Sequence, residues 1–398
     1  MGNKSKGLHT GYQQEQKIKN IDKILELIHK RRGISRISAA KELEIDRSTV
    51  TNIVPELLKI GIINEELQIP TGKGGRPPSI LRINSNFGCA LGISIHLRGY
   101  HAAVLNLDGE VLEVFQEPLP FPYKEFGLNC RSILCKIESD IKKRIVPIIG
   151  AVIALSGTIN PEKNIIERSF VFQLENYNFQ KEISQHFSYP VFVENDANAC
   201  AWGELFPPWN KNYSSFLYLL ARTNAYNKDT NIDSGMAIGI GIVADGRIIY
   251  GANNQAGELR SVHWRKINGS ENQVSIPLDR LSLIDTDEDV FREFIIEILD
   301  SLSPVVSVID PDAIIFGGDT KNRIAIIKEI LKNTDNGNFL AVEHKRYSIA
   351  SPDKGTEEIC AGAACLFLFQ LFKQSIDYPL RKKMATWEKS FNLKRSLL

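Results

Sequence analysis

The feature that most constrains this chain is a change of hydrophobic rhythm near residue 85. Before it, apolar residues recur at helical spacing; after it, apolar runs of strand length alternate with helical segments. One uniform architecture does not produce both rhythms. The sequence therefore divides into a small N-terminal part, residues 1–84, and an α/β body, residues 85–375, followed by a basic tail, residues 376–398. With 398 residues the chain is long enough for such a division, each part having its own core.

Charge follows the same boundary. Residues 1–84 carry 15 Lys and Arg against 9 Asp and Glu, and the remainder carries 33 against 38, although the whole chain is only +1. A basic module beside an acidic body is what a nucleic-acid-binding head requires, and charge alone does not separate that from chance. No run of about 18 apolar residues is present, so no membrane-spanning helix is expected. The polar start, Met1 to Gln14, lacks the apolar stretch of a secretory signal. The six cysteines contain no CxxC pair and read as reduced, mostly buried thiols, so the expected location is cytoplasmic and no metal site is expected.

Three helical segments are predicted in the first part. Lys17 to Arg31 places Ile18, Ile21, Ile24, Leu25 and Ile28 at helical spacing and stops before Gly33. Ser35 is suited to cap a short helix over Arg36 to Leu43, and Asp46 a third over Arg47 to Ile60, ended by Gly61. Two short helices joined by a three-residue turn form a helix-turn-helix. The third helix opens Arg47-Ser48-Thr49 and continues Thr51-Asn52, side chains suited to base edges and phosphates in a major groove, or simply a solvated face. Pro55 should kink this helix or remove one hydrogen bond. Two strands, Ile62 to Gln68 and Ser79 to Ile83, then flank a Gly-rich loop holding Lys73 and Gly75-Arg76-Pro77. That pattern is a wing, and an arginine so presented suits a narrow minor groove.

In the body, Cys89 to Ile95, His101 to Leu107, Val111 to Val114, Val146 to Leu155, Val191 to Glu194, Phe216 to Ala221, Met236 to Val243 and Ala313 to Phe316 read as strands. Helices are predicted over Ala199 to Leu205, Phe291 to Ser307 and Cys360 to Phe372. The order suggests two lobes with a cleft between them.

At three places these residues resemble the ROK family, which groups bacterial repressors and sugar kinases. VENDANACAWGE (Val193 to Glu204) resembles its central motif, GIGIVADGRIIYGANNQAGEL (Gly239 to Leu259) its glycine-rich signature, and PDAIIFGGD (Pro311 to Asp319) its nucleotide-side glycine pair. With Ser156-Gly157 and the winged head, the likeness extends over roughly residues 17 to 375 in the correct order. It implies an α/β fold: an N-terminal winged helix-turn-helix followed by a two-lobed, actin-like (ribonuclease H-like) sugar-kinase fold.

The resemblance also carries departures. Family kinases need a phosphate-cradling Asp-x-Gly-Gly-Thr-like turn after the first strand, where backbone amides wrap the phosphates. Here the stretch reads Ser94-Ile95-His96-Leu97-Arg98, so no enzymatic activity and no catalytic residue is expected. The Cys-rich zinc motif is also absent: Arg260-Ser261 stands in place of Gly-His, and His263 is left alone. Asp196 occupies the position of the kinases' general base, and Gly157, Asn195 and Glu258 match other sugar-side positions. These four are the expected ligand-binding residues; alternatively, Asn195 and Asp196 only cap the following helix. Ser169-Phe170-Val171-Phe172 replaces a usually polar stretch, which predicts a more apolar pocket.

The expected function is therefore a DNA-binding transcription regulator of repressor type. It would use Arg47, Ser48, Thr49, Thr51, Asn52, Lys73 and Arg76 on a double-stranded operator, with a sugar or sugar derivative as effector. The expected assembly is a homodimer or homotetramer, with no cofactor. Two alternatives stay open: an active sugar kinase with an accessory head, and a regulator controlled by a protein partner.

Overall fold

A computed structural model describes residues 4–67, 79–97, 99–118, 125–142, 146–206, 212–223, 236–265, 273–332, 346–352 and 358–372. The backbone of Lys4 to Glu15 is included without its side chains. The basic tail, the tip of the predicted wing with Lys73 and Arg76, and Arg98 lie outside the described residues.

The N-terminal part consists of α1 (Lys4–Arg31), α2 (Arg36–Glu42), α3 (Arg47–Ile60) and the hairpin β1 (Ile63–Leu67) and β2 (Ser79–Ile83). β1 and β2 are antiparallel, with Ile63 opposite Ile83 and Leu67 opposite Ser79. Ile34 adds an isolated bridge to Leu81, tying the α1–α2 connection to the hairpin. Ser35 caps α2 as expected, its hydroxyl accepting from the Ser38 N–H at 3.1 Å. Asp46 sits at the cap position of α3 but makes no side-chain cap bond. α1 starts at Lys4 rather than Lys17; once a helix is nucleated by a buried face, extending it through polar residues costs little. α3 continues through Pro55 to Ile60. The ring removes a donor, but Thr51, whose carbonyl loses that partner, is on the solvent face where water serves instead.

The body contains two five-stranded sheets of like topology. The first has the order β10 (Val191–Asn195), β6 (Ile148–Leu155), β3 (Cys89–His96), β4 (Gly99–Asn106), β5 (Val111–Glu117). The second has the order β13 (Arg247–Ile248), β12 (Met236–Ala244), β11 (Phe216–Thr223), β14 (Ala313–Gly318), β15 (Ser348–Ala350). In each, the first strand is central, carries an antiparallel hairpin on one side and two parallel strands on the other. This duplicated sheet is the mixed α/β fold implied by the resemblance. β6 is buried along its whole length, as expected of a parallel strand covered on both faces. A small antiparallel sheet, β7 (Thr158–Asn160), β8 (Ile165–Ser169) and β9 (Leu174–Tyr177), projects beside the first and was not predicted.

Helices complete the layers. α4 (Phe126–Lys142) covers one face of the first sheet through Phe126, Cys130, Ile133, Leu134 and Ile137. A short α5 (Phe179–Glu182) precedes β10. α6 (Asp196–Leu205) lies against β11 and β12 of the second sheet. After the short α7 (Leu278–Leu281), α8 (Glu288–Ile309) and α9 (Ile324–Lys332) cover the outer face of the second sheet. The last helix, α10 (Glu358–Phe372), packs on α6 and on β3, β4 and β6, so α6 and α10 form the layer between the sheets. The close approach of α10 to β3 and to α6 needs glycines: a Cβ at Gly92 of β3 would meet the Cys360 carbonyl at 1.8 Å, and one at Gly362 of α10 the Ala199 carbonyl at 2.1 Å.

The core around α6 and α10 is continuous with that of the N-terminal helices: Ile18, Ile24, Leu25 and Ile28 of α1 join Leu368, Leu371 and Phe372 in one cluster. At this joint the His29 ring stacks on Phe372 (centroids 4.5 Å, 12° between planes) and tilts against Phe206 at 5.5 Å. Burial, and then the Arg32 charge, lower the His29 pKa to about 4, against a main-chain hydrogen bond at Leu107 that raises it. All six cysteines are free, Cys135 alone being exposed. No helix among the described residues is long and apolar enough to cross a membrane.

Candidate functional site

Two surfaces hold the residues singled out by the sequence. On the first, α3 buries Val50, Ile53, Val54 and Leu57 and turns Arg47, Ser48, Thr51 and Asn52 outward; Thr49 is half-buried. The Thr51 hydroxyl donates to the Arg47 carbonyl at 2.8 Å, which fixes its rotamer. The outward side chains share the N-terminal half of the helix, where the positive end of the dipole also favours phosphate. Arg36 of α2 is committed to Glu65 of β1 in a two-pronged salt bridge.

The second surface lies around the start of α6, where the end of β10 and Arg222 of β11 come together. α6 begins three residues earlier than predicted, at Asp196, because Asn195 serves as its N-cap. Asn195 Oδ1 accepts from the N–H groups of Ala197 (2.9 Å) and Asn198 (3.1 Å), and its amide donates to the Gly157 carbonyl at 3.0 Å. That commits most of the Asn195 side chain and leaves little for a ligand. Gly157 is held at φ +152°, and a Cβ there would come within 2.5 Å of the Arg168 carbonyl. The two residues thus shape the wall around Asp196.

Asp196 is buried, with Oδ1 accepting from the Ala197 N–H at 2.9 Å and Oδ2 ion-paired with Arg222 of β11. Glu258 is presented from the other side. Gly257, at φ +90°, lies so close to β12 that a Cβ would meet the Ile240 carbonyl at 1.9 Å, and the Ile240 N–H donates to the Gly257 carbonyl at 2.9 Å. Glu258 is exposed, yet near enough to Asp196 that its pKa is raised, by desolvation first and then by the Asp196 charge. The side chain of Gln273 pins this segment, accepting from the Ile238 N–H (2.8 Å) and donating to the carbonyls of Ile238 (2.8 Å) and Leu259 (2.7 Å).

Beneath Asp196 lies a polar network invisible to the motif reading. Glu194 is fully buried, accepting from the Asn195 N–H (2.7 Å) and from the Tyr250 hydroxyl (2.7 Å), which in turn accepts from the Trp202 indole at 3.2 Å. Burial pushes the Glu194 carboxyl up to about 7, with the hydrogen bonds from Tyr250, Asn195 and Asn198 opposing it. At the start of α10, buried Glu358 accepts from the Gly318 N–H (2.8 Å) and the Tyr218 hydroxyl (3.0 Å) and faces Lys321 at 3.7 Å. The glycine pair Gly317-Gly318 therefore already has one amide matched by the chain's own carboxylate.

Other sequence expectations resolve as follows. Ser94 to His96 belong to strand β3, which turns back so tightly that His96 pairs with Gly99. Of Ser169 to Phe172, Ser169 donates to the Ser156 carbonyl at 2.6 Å and Phe172 enters the core, leaving Phe170 as the exposed member at 65%. The predicted apolar character is thus confined to one ring, over which Arg168 sits at 5.6 Å. His263 pairs with Asp300 at 2.9 Å, and no cluster of potential metal ligands occurs among the described residues. Arg222 was missed by motif reading. Its signal was alternation along β11: Phe216, Tyr218 and Leu220 face α6 and α10 while Leu217, Leu219 and Ala221 face α8, so position 222 falls on the inner face.

Residues 91–263 match the model of the ROK family. A xylose repressor of Caldicellulosiruptor bescii is 30% identical over 249 residues, covering 61% of this chain and 58% of that protein. The chain thus spans less than two thirds of the length of the curated relatives it matches first. Among solved structures, a ROK family transcriptional regulator described as a homolog of the E. coli MLC protein superposes with a TM-score of 0.71 at 19% identity, over 95% of this chain and 98% of that one. A Streptomyces griseus ROK family glucokinase in complex with glucose and AMPPNP superposes with a TM-score of 0.53 at 17% identity, over 70% of this chain and 99% of that one. At these identities the two structures establish a likeness of fold.

Proposed function

We propose that the chain, whose residues 91–263 match the ROK family model, is a DNA-binding transcription repressor of carbohydrate-related genes, with a sugar effector held in a non-catalytic cleft. Residues 1–84 act as a winged helix-turn-helix and residues 85–375 as the sensor. The observation that carries the reading is the outward face of α3, where Arg47, Ser48, Thr51 and Asn52 stand free of the core on a helix whose other face is buried. Thr49, Lys73 and Arg76 complete the proposed contact set. Two copies of the chain would place one α3 in each half-site of a two-fold operator, as a homodimer or a dimer of dimers.

Asp196, Glu258, Asn195 and Gly157 form the proposed effector site. Asp196 has both carboxylate oxygens engaged, Oδ2 by Arg222 and Oδ1 by the Ala197 N–H, so neither stands free to take a proton from a substrate hydroxyl. Together with strand geometry where kinases carry a phosphate turn, this favours sensing over phosphoryl transfer. The experiment is salt-dependent binding of the full chain to duplex DNA selected from a random pool. Arg76→Ala should weaken binding across sequences, and Arg47→Ala and Asn52→Ala should also relax base preference. Equal binding by all three variants removes the DNA-binding assignment. Sugar-dependent ATP hydrolysis by the wild type would replace it with the kinase reading.

A further inference from the structure

We propose that Arg222 is a ligand-contacting residue of the cleft, and that its pairing with Asp196 selects a neutral, unphosphorylated sugar bearing adjacent hydroxyls. The inference rests on the reading of the cleft as a sugar-effector site and goes beyond it by naming the residue and the ligand chemistry. Arg222 continues the inner face of β11 that Phe216, Tyr218 and Leu220 begin, a position where an apolar side chain would fill the core. A buried ion pair is commonly no more stabilising than well-packed apolar residues of similar size, so packing gives no reason for an arginine here. Its side chain keeps 23% exposure while Asp196 keeps 8%, so the guanidinium is the accessible member of the pair.

The chemistry of the pair fits a diol. A hydroxyl both donates and accepts, and Asp196 offers acceptor oxygens directly beside the donors of Arg222. Two neighbouring hydroxyls can each donate a hydrogen bond to the carboxylate and accept one from the guanidinium, making charge-assisted bonds in both directions. Glu258 stands within electrostatic reach of Asp196 as a further acceptor. An anionic ligand meets the opposite situation. Arg222 is already matched by Asp196 and Lys321 by Glu358, so a phosphate or carboxylate entering here faces Asp196, Glu258 and Glu358 without a fresh cation from either residue. The pair sits where the start of α6, directly after β10 of the first sheet, packs on β11 of the second.

The test is isothermal titration of the full chain with neutral aldoses, their single-deoxy analogues, their terminal phosphates and the matching uronic acids, on wild type, Arg222→Lys and Arg222→Gln. The wild type should bind at least one neutral aldose and lose roughly tenfold or more in affinity when either of two adjacent hydroxyls is removed. It should bind the phosphate and the uronate more weakly than the parent sugar. Arg222→Gln should lose a similar factor, and Arg222→Lys should fall between. Unchanged affinity in a folded Arg222→Gln chain, or a phosphate or uronate bound more tightly than its parent, overturns this proposal alone. A wild type that binds no member of the panel overturns the sugar reading and this proposal together. Should Arg222→Gln fail to fold, the deoxy and anionic arms on the wild type decide the matter unaided.

Discussion

The joint between α1 and α10 and the cleft between the two sheets are both buried, yet they are built from opposite materials. The joint is apolar: Ile18, Ile24, Leu25 and Ile28 pack with the end of α10, and the His29 ring lies between Phe372 and Phe206. The cleft is held by charge, with Asp196 to Arg222, Glu358 to Lys321 and Glu194 under Tyr250. Close-packed apolar contacts resist small displacement, whereas an ion pair can exchange one partner for a ligand's hydroxyls. The contrast teaches that the N-terminal helices share one apolar core with α6, α10 and both sheets, while the paired charges gather where α6 meets β11 and where α10 meets β14.

The largest expected effect breaks the joint. Phe206→Ala removes a fully buried ring and should cost about 3–5 kcal/mol. Calorimetry should then show the N-terminal helices melting ahead of the body; a single transition at the wild-type temperature would contradict the apolar joint.

Acid sharpens the comparison, because the two regions titrate in opposite senses. The His29 pKa is lowered to about 4 in the folded chain, so its contribution is present above about pH 6.5 and is lost as pH falls toward 4, roughly 1–3 kcal/mol in all. His29→Leu should flatten that acid limb in denaturant melts. Glu194 is raised to about 7, so the folded chain holds its proton more tightly than the unfolded one does. That contribution is complete below about pH 4.5 and is lost as pH rises through 7, at a similar or smaller size. Glu194→Gln should flatten stability between pH 5 and 8 while leaving the acid limb in place. If both variants alter the same limb, the two sites are not separate.

The smallest effect concerns the polar support itself. Tyr250→Phe deletes the hydroxyl that joins Trp202 to Glu194 and should cost about 1–2 kcal/mol, with a further rise of the Glu194 pKa seen as a fall of stability that continues to higher pH than in the wild type. No change in either would place the network outside the energetics of the cleft.

Much of this was legible in the sequence, for local reasons. The α2–α3 pair, its Ser35 cap and the apolar strands β3 and β6 follow from periodicity and capping, which act over a few residues. Asp196 and Glu258 were found through motifs, and the structure brings them within electrostatic reach of each other. The sheet β7–β9 escaped notice because strands of three to five residues of mixed polarity carry no clear rhythm. Arg222, Glu194 and His29 escaped for another reason. Each matters through a partner distant in sequence: Asp196 for Arg222, Tyr250 for Glu194, and Phe372 for His29.

The central claim is that an effector in the cleft changes how the N-terminal part holds DNA. The direct measurement is fluorescence anisotropy of the full chain on its selected duplex, at fixed salt, with and without a neutral sugar that binds the wild type by calorimetry. The account predicts that the sugar shifts DNA affinity roughly fivefold or more in the wild type, and that the duplex shifts sugar affinity by the same factor. DNA affinity that is identical with the cleft empty and saturated would contradict it.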